Sequence, residues 1–376
     1  MLYRKFKDTE ISLLAYGAMR LPVIDGDDSR IDEAKTFELI DKALASGINY
    51  FDTAWGYHKG NSEIVLGKAL ARHNRNEFYI ASKFPGYDTA NMKNAKAIFE
   101  KQLEKCGVDY FDFYLFHNVC DTNIELYLDR QYGLFDYLVE MRKQGKIRHL
   151  GFSVHANDKD MLRFLEAYGK EIEFCQIQLN WLDWELQEAE KKVKILNDWN
   201  IPIWVMEPVR GGKLAKLEDE QEKKLKALRP DESIPAWAFR FLQSVKGVTT
   251  ILSGMGSDEM LEDNLKTLSE HKPLNEAELK ALSEIAGEII GRKNLPCTGC
   301  RYCTTYCPMQ LDIPALISLY NEHNFTGSGF VAPAGINSLP EDKKPTACIG
   351  CRSCEAVCPQ QIKISEAMAD FAQKLK

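Results

Sequence analysis

From about Ile11 to Ala286, short apolar runs alternate with longer stretches of helical periodicity. The runs are "SLLAYG", "INYFD" (48–52), "FYIASK" (78–83), "FDFYLFH" (111–117), "IRHLGFS" (147–153), "FCQIQLN" (174–180), "PIWVM" (202–206) and "VTTILSG" (248–254). Near-continuous Ile, Val, Phe and Tyr over this length suit strands buried on both faces. Between them, "DEAKTFELIDKALASG" spaces Ala34, Phe37, Ile40 and Leu44 along one helical face, and Gly47 suits the end of that helix. Eight strands, each followed by a helix, predict class α/β and a (β/α)8 TIM barrel. A doubly wound sheet is the rival, but no strand leads into the G-x-G-x-x-G turn of such a dinucleotide fold.

The charge run "KLEDEQEKKLKALRP" reads as a solvated helix face. After Gly291 the texture changes. A cysteine string, the helical "DIPALISLYNEH", a Gly/Pro/Asn-rich stretch taken as a loop over 324–345, a second cysteine string and the helical "ISEAMADFAQKL" follow. The expected organisation is a barrel over 1–290 and a small, mostly α-helical domain over 291–376.

Composition narrows the class. With 45% hydrophobic and 27% charged residues, the 376-residue chain is ordinary globular protein. A net charge of -7 without any Lys/Arg-rich run argues against nucleic acid as a partner. No segment approaches 18 consecutive apolar residues, and the N-terminus lacks a signal-peptide pattern, so the expected location is cytoplasmic, with no membrane partner.

In such a barrel, chemistry sits at the C-terminal ends of the strands. Those positions hold Asp52 and Tyr57 after the second strand, Lys83 on the third and His117 on the fourth. Singly, each has a plain reading as a loop cap, a loop aromatic, a snorkelling lysine or a hydrogen-bonded core histidine. Together they are costly to gather without a use. A tyrosine with its usual pKa near 10 needs help as a proton donor and acceptor. An ammonium beside it stabilises the phenolate, a carboxylate holds the ammonium, and a histidine orients a carbonyl oxygen.

Eleven cysteines include eight in two strings, "CTGCRYCTTYCP" and "CIGCRSCEAVCP", offset by 51 residues. Cys106, Cys120 and Cys175 stand apart and read as small core residues. Zinc sites pair two separated C-x₂-C units, which leaves a third nearby cysteine idle. The repeat C-x₂-C-x₂-C-x₃-C-P instead resembles ferredoxins with two [4Fe–4S] clusters. That resemblance implies one ligand set of Cys297, Cys300, Cys303 and Cys358, and another of Cys348, Cys351, Cys354 and Cys307, each fourth cysteine crossing to the other cluster.

The stretches "GINYFDTAWGYHKGNSEIVLGKAL", "FYIASKF", "CGVDYFDFYLFHN", "GKIRHLGFSV" and "MLEDNL" resemble the aldo-keto reductases along about 280 residues. The resemblance implies a (β/α)8 barrel and a tetrad of Asp52, Tyr57, Lys83 and His117, with Tyr57 as general acid. It also implies a nicotinamide cofactor, NADP or NAD, contacted by Ser153, Gln178 and Met206, by Gly17, Met19 and Arg20 after the first strand, by Arg210 and Gly211, and by Gly254 and Asn264. Val154 stands where the family commonly has Asn, and the Lys and Arg that many NADP-preferring members carry before Asn264 are missing.

The expected function is NAD(P)H-dependent reduction of a small aldehyde or ketone, or oxidation of the alcohol, with the clusters as an electron-transfer or structural addition. One alternative is electron exchange with a ferredoxin or flavoprotein partner through the clusters, which favours a flavin although no flavin motif is visible. The other is a redox-sensing nucleotide-binding protein, which has no need of Tyr57 and Lys83 together.

Overall fold

The computed structural model describes residues 1–376 except 121–122, 156, 296, 298, 327–330 and 359, and leaves aside the side chains of 292, 293 and 302. The chain divides into two compact units, Met1–Ser283 and Glu284–Lys376.

In the first unit, all eight predicted runs are strands: β3 (Leu14–Gly17), β4 (Tyr50–Asp52), β5 (Tyr79–Phe84), β6 (Phe111–Val119), β7 (Ile147–Val154), β8 (Phe174–Gln178), β9 (Ile203–Met206) and β10 (Val248–Ser253). They form a closed parallel barrel in chain order, sealed where Ile251, Leu252 and Ser253 of β10 register with Leu14, Ala15 and Tyr16 of β3. A hairpin that the hydrophobic pattern does not announce, β1 (Tyr3–Phe6) and β2 (Thr9–Ser12), precedes the barrel. "YRKF" buries only Phe6, too little for a strand signal. Phe6 lies 5.0 Å from the Trp204 ring and 5.7 Å from that of Phe113, among the inward-facing side chains of the barrel.

Helices alternate with the strands. Glu33–Ala45 starts at Asp32, whose side chain accepts a hydrogen bond from the Lys35 amide. Its buried face is Thr36, Leu39, Ile40 and Ala43, a small rotation from the expected Ala34, Phe37, Ile40 and Leu44. Phe37 is half-buried at the edge of that face, with the Arg72 guanidinium over its ring at 5.1 Å. The charge run is the helix Asp219–Leu228, with a capping box at Glu218 and Gln221.

The second unit has its own core of Leu311, Ile313, Leu316, Ile317, Ile336, Ile362, Ile364, Met368 and Phe371. Ile313–Thr326 and Ile364–Lys374 are helical as expected. The 324–345 stretch is not wholly a loop. Residues 327–330 lie outside the described residues, but Val331–Asn337 is a helix burying Ala332 and Ile336. It packs closely on Ile313–Thr326, since a Cβ on Gly335 would stand 2.8 Å from Leu319. Its Gly and Pro content masks that short apolar stripe. Among the described residues, no helix is long and apolar enough to cross a membrane.

Candidate active site and cysteine sites

The four strand-end residues converge. Lys83 is fully buried; its Nζ lies 2.5 Å from Asp52 Oδ1, donates to the Thr53 carbonyl at 2.8 Å, and sits 5.1 Å from the centre of the Tyr57 ring. Burial pushes the Lys83 ammonium down and the Asp52 carboxyl up, and each opposes the other's shift. Tyr57, on the loop after β4, is half-buried, and its ring stands edge-on to His117 with centroids 6.0 Å apart. Burial holds the Tyr57 phenol well above its usual range, and the carboxylates of Asp52 and Glu207 add to this. His117 is held neutral, first by burial and then by the Lys83 charge.

A second polar cluster follows β8. Asp183 accepts from Gln178 Nε2 at 2.8 Å, Asn180 Nδ2 at 2.6 Å and Arg210 Nε at 2.8 Å. Arg210 is therefore buried against a carboxylate rather than open to a phosphate. Ser153 is buried, its Oγ accepting from the Asn118 amide at 2.8 Å. Met206 ends β9, with its sulfur 3.7 Å from Gln176 Nε2. Gly17 closes β3 in register with Asp52, and Met19 after it is exposed. Arg20 lies across two glycines: a Cβ on Gly254 would stand 3.0 Å from the Arg20 Cβ, and one on Gly211 2.9 Å from its guanidinium. Asn264 donates to Ser253 Oγ at 3.1 Å.

The cysteine strings fold into two cavities. One is lined by Cys348, Cys351, Cys354 and Cys307, the other by Cys297, Cys300, Cys303 and Cys358. Each draws three sulfurs from one string and one from the other. The walls are apolar, with Leu311, Ile313, Ile349 and Met368 around the first and Ile317 and Ile362 around the second. The Leu311 amide donates to Cys307 Sγ at 3.5 Å. Burial pushes the Cys303 and Cys354 thiols up to about 11. Of the lone cysteines, Cys106 and Cys175 are buried, as small core residues are.

A model of the aldo/keto reductase family matches residues 13–286. The chain belongs to the aldo/keto reductase family. A 4Fe-4S dicluster domain matches 296–363. The uncharacterized oxidoreductase YqkF of Bacillus subtilis is 23% identical over 306 residues, 73% of this chain and 92% of that protein. The NADH-specific methylglyoxal reductase of Escherichia coli is 24% identical over 326 residues, 74% of this chain and 96% of its own length. Among solved structures, an aldo-keto reductase of Bacillus halodurans in its holo form matches at TM-score 0.62 and 23% identity, over 76% of this chain and 96% of that one. An aldo-keto reductase of Klebsiella pneumoniae in complex with NADPH matches at TM-score 0.61 and 18% identity, over 76% and 96%. The barrel is thus an oxidoreductase barrel of that family, joined to a dicluster domain.

Several groups at this reductase's mouth escape a reading by motif. Tyr87, in "FPGYD", places its hydroxyl against His117 Nδ1. Asn180 and Asp183, in "NWLDW", and His155, just after β7, belong to the second cluster; burial drives His155 down to about 4. "Polar residue just past a strand" is the signal that could have found Asn180 and His155. In the same stretch Trp181 is buried and Trp184 meets the Phe241 ring at 5.5 Å, both as packing groups.

Proposed function

We propose that the barrel reduces a small aldehyde or ketone with a nicotinamide nucleotide, which when bound supplies the hydride. The observation that carries this is the buried Lys83, held by Asp52 beneath the face of Tyr57. Burial keeps the Tyr57 phenol protonated, so it can give its proton to the carbonyl oxygen as that oxygen gains charge. The phenolate left behind lies beside the Lys83 ammonium, which limits the cost of forming it. Neutral His117 donates to the same oxygen and orients it. Ser153 and the Gln178 amide supply the hydrogen-bonding groups a carboxamide needs.

Arg210, paired with Asp183, and Lys35 and Lys42, paired with Asp258 and Glu262, are not open to a 2'-phosphate, whereas the exposed Arg20 is, so either NADH or NADPH serves as the hydride donor. Methylglyoxal is the first substrate to try. Tyr57→Phe should lower kcat at least about 100-fold while nucleotide binding, followed by fluorescence, is unchanged. Retained turnover in that variant excludes Tyr57 as the acid.

The two four-cysteine cavities support a second activity. Four thiols around an apolar space fit a [4Fe–4S] cluster, which when bound supplies one-electron transfer. The proposed partner is a ferredoxin or flavoprotein. Anaerobic isolation with iron analysis and reduction by a one-electron donor tests this, and a zinc-loaded, iron-free protein rejects it.

A further inference from the structure

Tyr87 stands on the loop after β5 and is 43% exposed, yet its hydroxyl is bonded to His117 Nδ1. The loop is not free to wander. The buried Tyr127 hydroxyl accepts from the Gly86 amide at 3.1 Å and donates to the His117 carbonyl at 2.7 Å. One phenol therefore ties the residue before Tyr87 to the backbone of the histidine that Tyr87 contacts. Gly86 is required for this approach, because a Cβ there would stand 2.2 Å from the Tyr127 ring. Tyr127 in turn is held from behind, its carbonyl accepting from the Tyr168 hydroxyl at 2.9 Å.

The contact has a chemical consequence. A neutral imidazole carries one N–H, and the bond made by one ring nitrogen decides what the other can do. A phenol is a far stronger hydrogen-bond acid than a neutral imidazole N–H, so the favoured arrangement has the Tyr87 O–H donating to Nδ1. The proton of the ring then resides on Nε2. That is the form in which His117 can donate to a carbonyl oxygen, whereas the opposite tautomer presents a lone pair and repels it.

We infer that Tyr87 is a positioning residue that selects the Nε2–H tautomer of His117, with the Gly86–Tyr127 clamp fixing the pair. The inference rests on the reading of Tyr57 and His117 given above. It makes no new bond and needs no co-reactant: the Tyr87 proton stays on its oxygen, and only the population of the ring tautomers changes.

The test is long-range nitrogen–proton NMR of the full chain labelled at histidine, with His117→Gln to assign the signal. The wild-type chain should show Nδ1 bare and Nε2 protonated. In Tyr87→Phe the two tautomers should mix. Loss of one neutral hydrogen bond changes the tautomer ratio about tenfold, so kcat for carbonyl reduction should fall in proportion to the lost Nε2–H fraction, about twofold at equal populations, with KM for nucleotide unchanged. A protonated Nδ1 in the wild-type chain overturns the inference without needing any variant. An unchanged tautomer in a Tyr87→Phe protein with native circular dichroism overturns it too. If Tyr57→Phe retains activity while the tautomer result holds, the proton-donor assignment has failed and the tautomer selection has not.

Discussion

Asp52 and Lys83 occupy a site with almost no water, their side chains 4% and 0% exposed. Removing one member of a buried ion pair leaves the other charged and unpaired, at a cost of about 3–5 kcal/mol. Asp52→Asn should therefore lower unfolding free energy in urea by about that amount, besides lowering kcat. A loss under about 1 kcal/mol would mean that Lys83 sheds its proton instead. The histidines give a pH dependence of known sign. His155 titrates near 6.5 when unfolded and is driven down to about 4 in the fold, and His117 is also driven down, in both cases by burial first. Between those values the unfolded chain binds protons that the folded chain does not. Stability is full above about pH 6.5 and declines as pH falls toward 4. Urea midpoints measured across that window should fall with pH, and His155→Gln should flatten the slope. The candidate tetrad was legible because Asp52, Lys83 and His117 ended successive apolar runs, with Tyr57 in the loop after the first of them. Tyr87 was not, since its partner His117 lies 30 residues on, on the next barrel strand, and no local pattern links a loop tyrosine to it.

Among the elements, close backbone approaches fix the spacing of the barrel's layers. Gly67, in the helix Ser62–Leu70, faces the backbone of Cys106 at the end of the helix Ala95–Cys106; a Cβ there would stand 2.5 Å from the Cys106 carbonyl oxygen. Gly151 in β7 meets the Phe174 ring at the same distance. A ring can tilt, whereas a backbone carbonyl moves only with its helix. Gly67→Ala should cost about 3 kcal/mol and Gly151→Ala nearer 1 kcal/mol, read from chemical denaturation. The reverse order would show that the helices slide more easily than the aromatic layer repacks. The eight barrel strands were readable since most are short runs rich in β-branched and aromatic residues. The β1–β2 hairpin and the helix Val331–Asn337 were not, because each owes its place to one or two buried side chains among polar or Gly/Pro neighbours.

At the scale of the whole molecule, the crossed sulfur sets distinguish themselves by iron content. If Cys300 and Cys358 serve one cluster, the double variant Cys300→Ser/Cys358→Ser should keep about four irons. Cys300→Ser/Cys307→Ser removes a ligand from each cluster and should keep almost none. The opposite pattern would mean that each string closes its own cluster. Iron chelation should also unfold 284–376, whose core of short helices surrounds the two cavities, while the barrel's circular dichroism persists. If both signals collapse together, the two units are not independently stable.

The sequence by itself determined the barrel, the strand-end tetrad and the two cysteine strings, because periodicity and ligand spacing are local properties of the chain. The pairing of Lys83 with Asp52, the neutralising of Arg210 by Asp183 and the capture of His117 by Tyr87 were decided only by the tertiary structure. Each joins residues from different elements of the fold, and burial shifts the ionisation of Asp52, Lys83 and His117. Burial is a property of the whole fold, which no short stretch of sequence contains.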